Sequence, residues 1–156
     1  MNDFVLMGLA LELAAEAARN GEVPVGAVVA VDGVAISTSA NDRERTFDPT
    51  GHAEILALRG AAQKLGRWRL SGACLYVTLE PCPMCAGALV SSRVSRLVYG
   101  ADDPKAGAVR SLFTIADDPR LNHRVEVVRG LRAEEGSQLL SAFFSETRRR
   151  VRKGEY

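Results

Sequence analysis

Two short fragments thirty residues apart, His52-Ala53-Glu54 and Pro81-Cys82-Pro83-Met84-Cys85, constrain this chain more than any other feature. They hold one imidazole, two thiols and one carboxylate, which act together only if the fold brings both fragments to one place. Cysteines three apart share a face when Cys82 caps a helix and Cys85 closes its first turn. Pro83 fits the first helical position, where a missing N–H costs nothing. A helix N-terminus also favours the thiolate over the thiol, which is the form that binds metals. Asp48-Pro49-Thr50-Gly51 reads as the entry to a second helix, with His52 in or near its opening turn. Residues two apart point to roughly opposite sides of a regular helix. His52 and Glu54 therefore share one site only if it wraps around the helix end.

The donor set predicts a zinc ion, one per chain, held by His52, Cys82 and Cys85, with the fourth tetrahedral position left for water. Glu54 is then placed to handle that water's protons as the catalytic carboxylate. The combined pattern, H-x-E followed by P-C-x-x-C, is the established signature of the zinc nucleobase deaminases. Each half is weak alone, since C-x-x-C also occurs as a redox pair or as half of a structural zinc site. A closed structural site would need Cys74 or His123 as a fourth ligand. Cys74 sits in an apolar strand and His123 in a turn-like Leu-Asn-His-Arg segment. They read instead as a buried free cysteine and a surface histidine.

With 156 residues, the chain is expected to form one domain spanning 1–156, large enough for a real core. Its net charge of +1 excludes a polycation, but the charge is unevenly placed. Residues 143–156 carry five basic and two acidic residues, ending in Arg148-Arg149-Arg150-Val151-Arg152-Lys153. Such a tail suits either a solvated helix end or contact with phosphates. Three cysteines, two assigned to metal, leave no disulfide pair. No basic segment with a cleavage site opens the chain and no apolar run approaches membrane-spanning length, so a cytoplasmic protein with no membrane contact is expected.

In chain order, an Ala/Leu-rich helix is predicted over 3–20, capped by Asn2 or Asp3, with Leu6, Leu9, Leu13 and Ala17 facing a core. Asp32-Gly33 between Pro24–Val31 and Val34–Ala40 predicts a hairpin. Asn41, which follows, has an amide that offers both a donor and an acceptor. The helix beginning near His52 ends at Gly66, and Trp68 beyond it is expected to cover a core edge. Strands are expected over Cys74–Leu79, Val94–Tyr99 and Val125–Val128, with the metal helix running to about Ser92. Residues 106–113 are expected to include a short helical piece. A long final helix from Ala133 is expected to turn Leu139, Leu140, Phe143 and Phe144 inward.

Over nearly its full length the chain resembles the bacterial tRNA-specific adenosine deaminase (TadA) family. The matching segments are Glu22–Ala27, Asp48–Glu54, Tyr76–Ala88, Tyr99-Gly100-Ala101 with Lys105 and Gly107, Asn122–Glu126, and Phe143-Phe144 before the arginines. The resemblance implies an α/β class, three-layer α/β/α cytidine-deaminase-like fold, with a five-stranded mixed sheet flanked by helices. It also implies a homodimer and hydrolytic conversion of adenosine to inosine at the wobble position, position 34, of a tRNA anticodon stem-loop, with an arginine tRNA reading ACG as the usual substrate. Substrate contacts carried over by the resemblance fall on Asn41, Ala53, Asp103, Lys105, Phe144 and Arg148. After Asn41 this chain reads Asp42-Arg43-Glu44, where relatives commonly have an Arg-Pro pair. The alternatives are a deaminase of a free nucleobase such as guanine or cytosine, and a non-catalytic zinc-stabilised binding module.

Overall fold

The computed structural model describes residues 1–154; Glu155 and Tyr156 lie outside them. Alternation of small and branched apolar residues along three central strands sets the layers. The strands are β1 (Gly26–Val31), β2 (Val34–Ala40), β3 (Ala73–Leu79), β4 (Arg96–Ala101) and β5 (Glu126–Arg129). They form one sheet in the order β2-β1-β3-β4-β5. β1 is antiparallel to both β2 and β3, while β3–β4 and β4–β5 are parallel. The sheet is therefore mixed, as expected.

Side chains on a strand alternate between its two faces. Ala27, Val29, Leu75, Val77, Leu97 and Tyr99 face one core, shared with Ala53, Ala57, Leu58 and Ala61 of α2 (Ala53–Leu65) and Leu89 of α3 (Pro83–Ser91). Val28, Ala30, Tyr76 and Val98 face the other, shared with Leu6, Met7, Ala10 and Leu11 of α1 (Asp3–Arg19) and bordered by Leu139 of α4 (Ala133–Arg152). Full burial of each large aliphatic side chain contributes roughly 1.5–3 kcal/mol. α1 lies so close to the sheet that a Cβ at Gly26 would overlap the Ala10 carbonyl.

The predicted boundaries shift by only one or two residues. Asn2 caps α1 by accepting from the Val5 N–H at 2.9 Å, which excludes Asp3 from that role. Gly66 closes α2 in the left-handed conformation. Three expectations are corrected. Residues 106–113 form turns rather than a helical piece, because the N–H groups of Val109, Arg110 and Ser111 bond to the Glu80 side chain instead of continuing a helical ladder. Trp68 is 60% exposed and carries the Arg69 guanidinium at 5.0 Å from its ring, so it covers no core. The apolar stripe of α4 is a core face only in part, with Leu139 packed against the α1-side core. Leu139, Leu140 and Phe143 are half-buried and Phe144 is 42% exposed, since part of the stripe borders a cavity.

α1 is tied to the middle of the sheet by a polar cluster. Asp3 accepts from the Tyr76 hydroxyl at 2.6 Å and from both terminal nitrogens of Arg96 at 2.9 and 2.7 Å. Arg96, then Tyr76, hold the Asp3 carboxyl at about 2, below its ordinary 3.8. A depressed carboxyl stabilises the fold above its unfolded pKa and loses that contribution as pH falls towards its folded value. Because the pair is partly open to water, we expect Asp3→Asn to cost about 1 kcal/mol at pH 7. The gap to wild type, measured by urea unfolding, should close between pH 4 and pH 2.

Candidate metal centre and substrate cavity

The cluster is built from two helix starts. His52 is the N-cap of α2, with extended backbone at φ −74° and ψ 145°, and Cys82 is the N-cap of α3 at φ −73° and ψ 174°. Pro83 occupies the first turn of α3 and Cys85 follows within it. His52 thus lies outside the helical spiral, which is how it reaches the same site as Glu54 despite their spacing. A cap side chain normally accepts from the helix's free N–H groups. Neither His52 nor Cys82 does so, which leaves imidazole and thiol available. Asn41 caps α2 from outside instead, its Oδ1 accepting from the Ala53 N–H at 2.8 Å.

His52 Nδ1 lies 3.6 Å from Cys82 Sγ and 3.4 Å from Cys85 Sγ, and all three donor atoms fall within 4.8 Å of one another. Bonds of about 2.3 Å to sulfur and 2.0–2.1 Å to nitrogen, at tetrahedral angles, separate donors by roughly 3.5–3.8 Å. The spacing therefore fits an ion with those bond lengths. Among the described residues the group contains these three side chains and no fourth. Cys74 is half-buried in β3, near Arg96. His123 is half-buried rather than on the open surface, its Nε2 2.7 Å from the Val94 carbonyl. The hydrogen bond from Cys85, with that of His52, holds the Cys82 thiol down at about 4. Its contact with Cys82, together with burial, pushes the Cys85 thiol up. Burial likewise raises the Glu54 carboxyl, which is 4% exposed.

His52, Glu54 and Cys82 lie on the wall of a cavity of about 740 Å³. Four of its other walls come from distant parts of the chain: Val23 and Val25 before β1, Asn41 and Arg43 after β2, the 101–106 loop, and one side of α4 from Ser137 to Arg148. Asn41, Asp103, Lys105, Phe144 and Arg148 all line it. Ala53 is fully buried beside it, with its N–H committed to Asn41. Asp103 Oδ1 accepts from the N–H groups of Lys105 and Ala106 at 3.1 and 3.3 Å, so that oxygen shapes its own loop. Sequence reasoning missed Arg43, Leu140 and Glu80 as parts of this cavity. Leu140 was legible only as apolar, and Glu80 only as the residue before the metal helix. A carboxylate in a strand-to-helix junction, where burial is expected, was the available signal.

The model of the MafB19-like deaminase family matches residues 1–148. The tRNA-specific adenosine deaminase of Bacillus subtilis is 48% identical over 148 residues, covering 95% of this chain and 92% of that protein. A solved structure from studies of A-to-I editing by tRNA:A34 deaminases at the wobble position of transfer RNA is similar at TM-score 0.84 and 46% identity, over 87% of this chain and 99% of the other. A guanine deaminase from Nitrosomonas europaea is similar at TM-score 0.76 and 28% identity, over 91% of this chain and 84% of the other.

Cys82→Ser should strip most of the metal from purified protein, read by atomic absorption, whereas Cys74→Ser should leave the metal content unchanged. Full metal in the first variant would move the centre elsewhere.

Proposed function

The chain belongs to the tRNA-specific adenosine deaminases, and on that premise we propose that it converts adenosine to inosine at the wobble position of a tRNA anticodon, with zinc as its metal. The observation that carries the reading is the junction of two helix starts on the wall of a cavity roomy enough for a nucleotide, with a buried carboxylate beside three open donors. Two sulfurs and one imidazole in a tetrahedral array suit zinc better than the harder divalent ions. Bound there, zinc would polarise a water molecule and lower its pKa towards neutrality.

Glu54 does the proton work. Its carboxylate takes the proton of the attacking water and hands it to adenine N1 as the oxygen adds to C6. It then helps protonate the departing amine, acting first as base and then as acid. Asn41 orients the base in one sense only. The bond from the Ala53 N–H to Oδ1 fixes which way the amide is turned and leaves its N–H₂ free to meet an acceptor on the purine. Leu140 and Phe144 supply apolar wall for the base. An anticodon-loop base reaches such a cavity at low unstacking cost, unlike a base in a duplex.

The basic tail divides into two parts. Glu146 pairs with Arg149 at 2.6 Å and Arg150 at 3.2 Å, which offsets one of the five positive charges of the run. Arg148 forms no ion pair among the described residues and lines the cavity, so with Lys105 it is assigned to backbone phosphates. We infer a single catalytic domain acting in the cytoplasm as a homodimer. Exposed Met84, between the two cysteines, supplies apolar surface beside the site for a second copy, and Leu112 and Phe113 are further exposed apolar side chains. An arginine tRNA reading ACG is the substrate to try first.

An ACG anticodon stem-loop should gain inosine, read as guanosine on sequencing, while free guanine and cytosine remain unchanged. Turnover of free guanine alone would favour the free-base reading. Glu54→Ala should keep fold and metal but lose about 10²–10⁴-fold in turnover, and retained turnover would remove it from the mechanism. Arg148→Ala should weaken stem-loop binding across sequences and reduce the slope of log affinity against log salt by about one.

A further inference from the structure

Glu80 stands between β3 and the first cysteine, and the deamination chemistry does not use it. It is nonetheless 2% exposed and fully engaged. Its Oε1 accepts from the Asp103 N–H at 3.0 Å and from the Ser111 hydroxyl. Its Oε2 accepts from the N–H groups of Val109, Arg110 and Ser111 at 3.1, 2.8 and 2.9 Å. All five donors belong to the 103–111 loop. The loop also folds around the carboxyl group, since a Cβ at Gly107 would overlap it. A further bond, from the Ala108 N–H to the Pro81 carbonyl at 2.8 Å, fixes the loop to the chain entering the metal helix. The same loop carries Asp103 and Lys105 to the cavity wall.

We propose that Glu80 is a positioning residue for substrate binding: its carboxylate is the hub on which the 103–111 loop is wound, so that Lys105 and Asp103 stand at the cavity before RNA arrives. A carboxylate is the group required, because it offers only acceptors to five converging donors. A glutamine in its place turns an N–H₂ towards backbone N–H groups and leaves some of them unpaired. Aspartate is one methylene short of the same reach. Without the hub, the loop keeps its internal turn bonds and the Ala108–Pro81 tie but loses the anchor that joins its two ends, and binding must bear the cost of ordering it.

The inference rests on the proposed RNA substrate, and the test separates the two. Deamination of the anticodon stem-loop by wild-type protein tests the substrate alone. Hydrogen exchange at the Asp103, Val109, Arg110 and Ser111 amides tests the hub without any substrate. Glu80→Gln should speed exchange at those amides while metal content stays at the wild-type level. It should raise KM for the stem-loop about tenfold, as expected for lost positioning in the ground state, with kcat within about threefold. In a Lys105→Ala background, Glu80→Gln should raise KM by less than it does alone, because the Lys105 contact is already gone. Ser111→Ala, which deletes a single donor, should move KM and exchange in the same direction by less. Metal loss, a fall in kcat at unchanged KM, or effects that simply multiply with Lys105→Ala would overturn the proposal. Should Glu80→Gln fail to fold, Ser111→Ala alone and in combination with Lys105→Ala decides, and unchanged exchange and KM there would refute the hub.

Discussion

Everything in this molecule depends on two helix starts meeting at the same end of the sheet's strands. An ion with short bonds to nitrogen and sulfur tolerates little error in donor spacing. Flexible side chains on loops would meet that demand only at an entropic cost. Here the donors stand on N-cap residues, whose extended backbone is fixed by the helix behind it. The buried faces of α2 and α3 lock those helices to the sheet, so core packing sets the distances between His52, Cys82 and Cys85. The function of the cap passes to Asn41, and this exchange ties the cavity wall to the metal centre.

Around this fixed centre the cavity is bounded by irregular chain, and irregular chain must still satisfy its backbone N–H groups. Two buried carboxylates do much of this. Glu22 accepts twice from the Glu44 N–H, at 2.7 and 3.0 Å, and holds the loop after β2. Glu80 gathers the loop after β4. Neither loop is regular, yet each is anchored by one buried acidic side chain. Asp42-Arg43-Glu44, where the chain departs from its relatives, lies in the first of these loops. Its arrangement follows from Glu22 and from the Asp42–Arg45 ion pair.

Strand and helix types were legible because each central element repeats its apolar residues with the period of its own geometry. The candidate metal centre was legible for a similar reason, since the side chains that could hold an ion come in two tight local patterns that begin helices. The misread segments share the opposite property. Residues 106–113 look helical from composition, but Glu80, more than twenty residues earlier, takes the N–H groups of Val109, Arg110 and Ser111. Trp68 was read from residue type alone, and nothing in its neighbourhood reveals that no core reaches it. The stripe of α4 has the right period for a core face. Whether such a face meets another element or empty space depends on elements that are remote in sequence.

The sequence by itself determined the chemistry: an imidazole, two thiols and a carboxylate at spacings that only helix starts make useful. Tertiary structure alone decided the shape and access of the site. It set Leu140, Phe144 and Arg148 against a centre more than fifty residues away in the chain, and it made Glu80 a buried hub instead of a surface charge. The physical reason is range. Ligand spacing within one helical turn is a local property of the backbone, whereas a cavity exists only where several remote segments stop short of filling space.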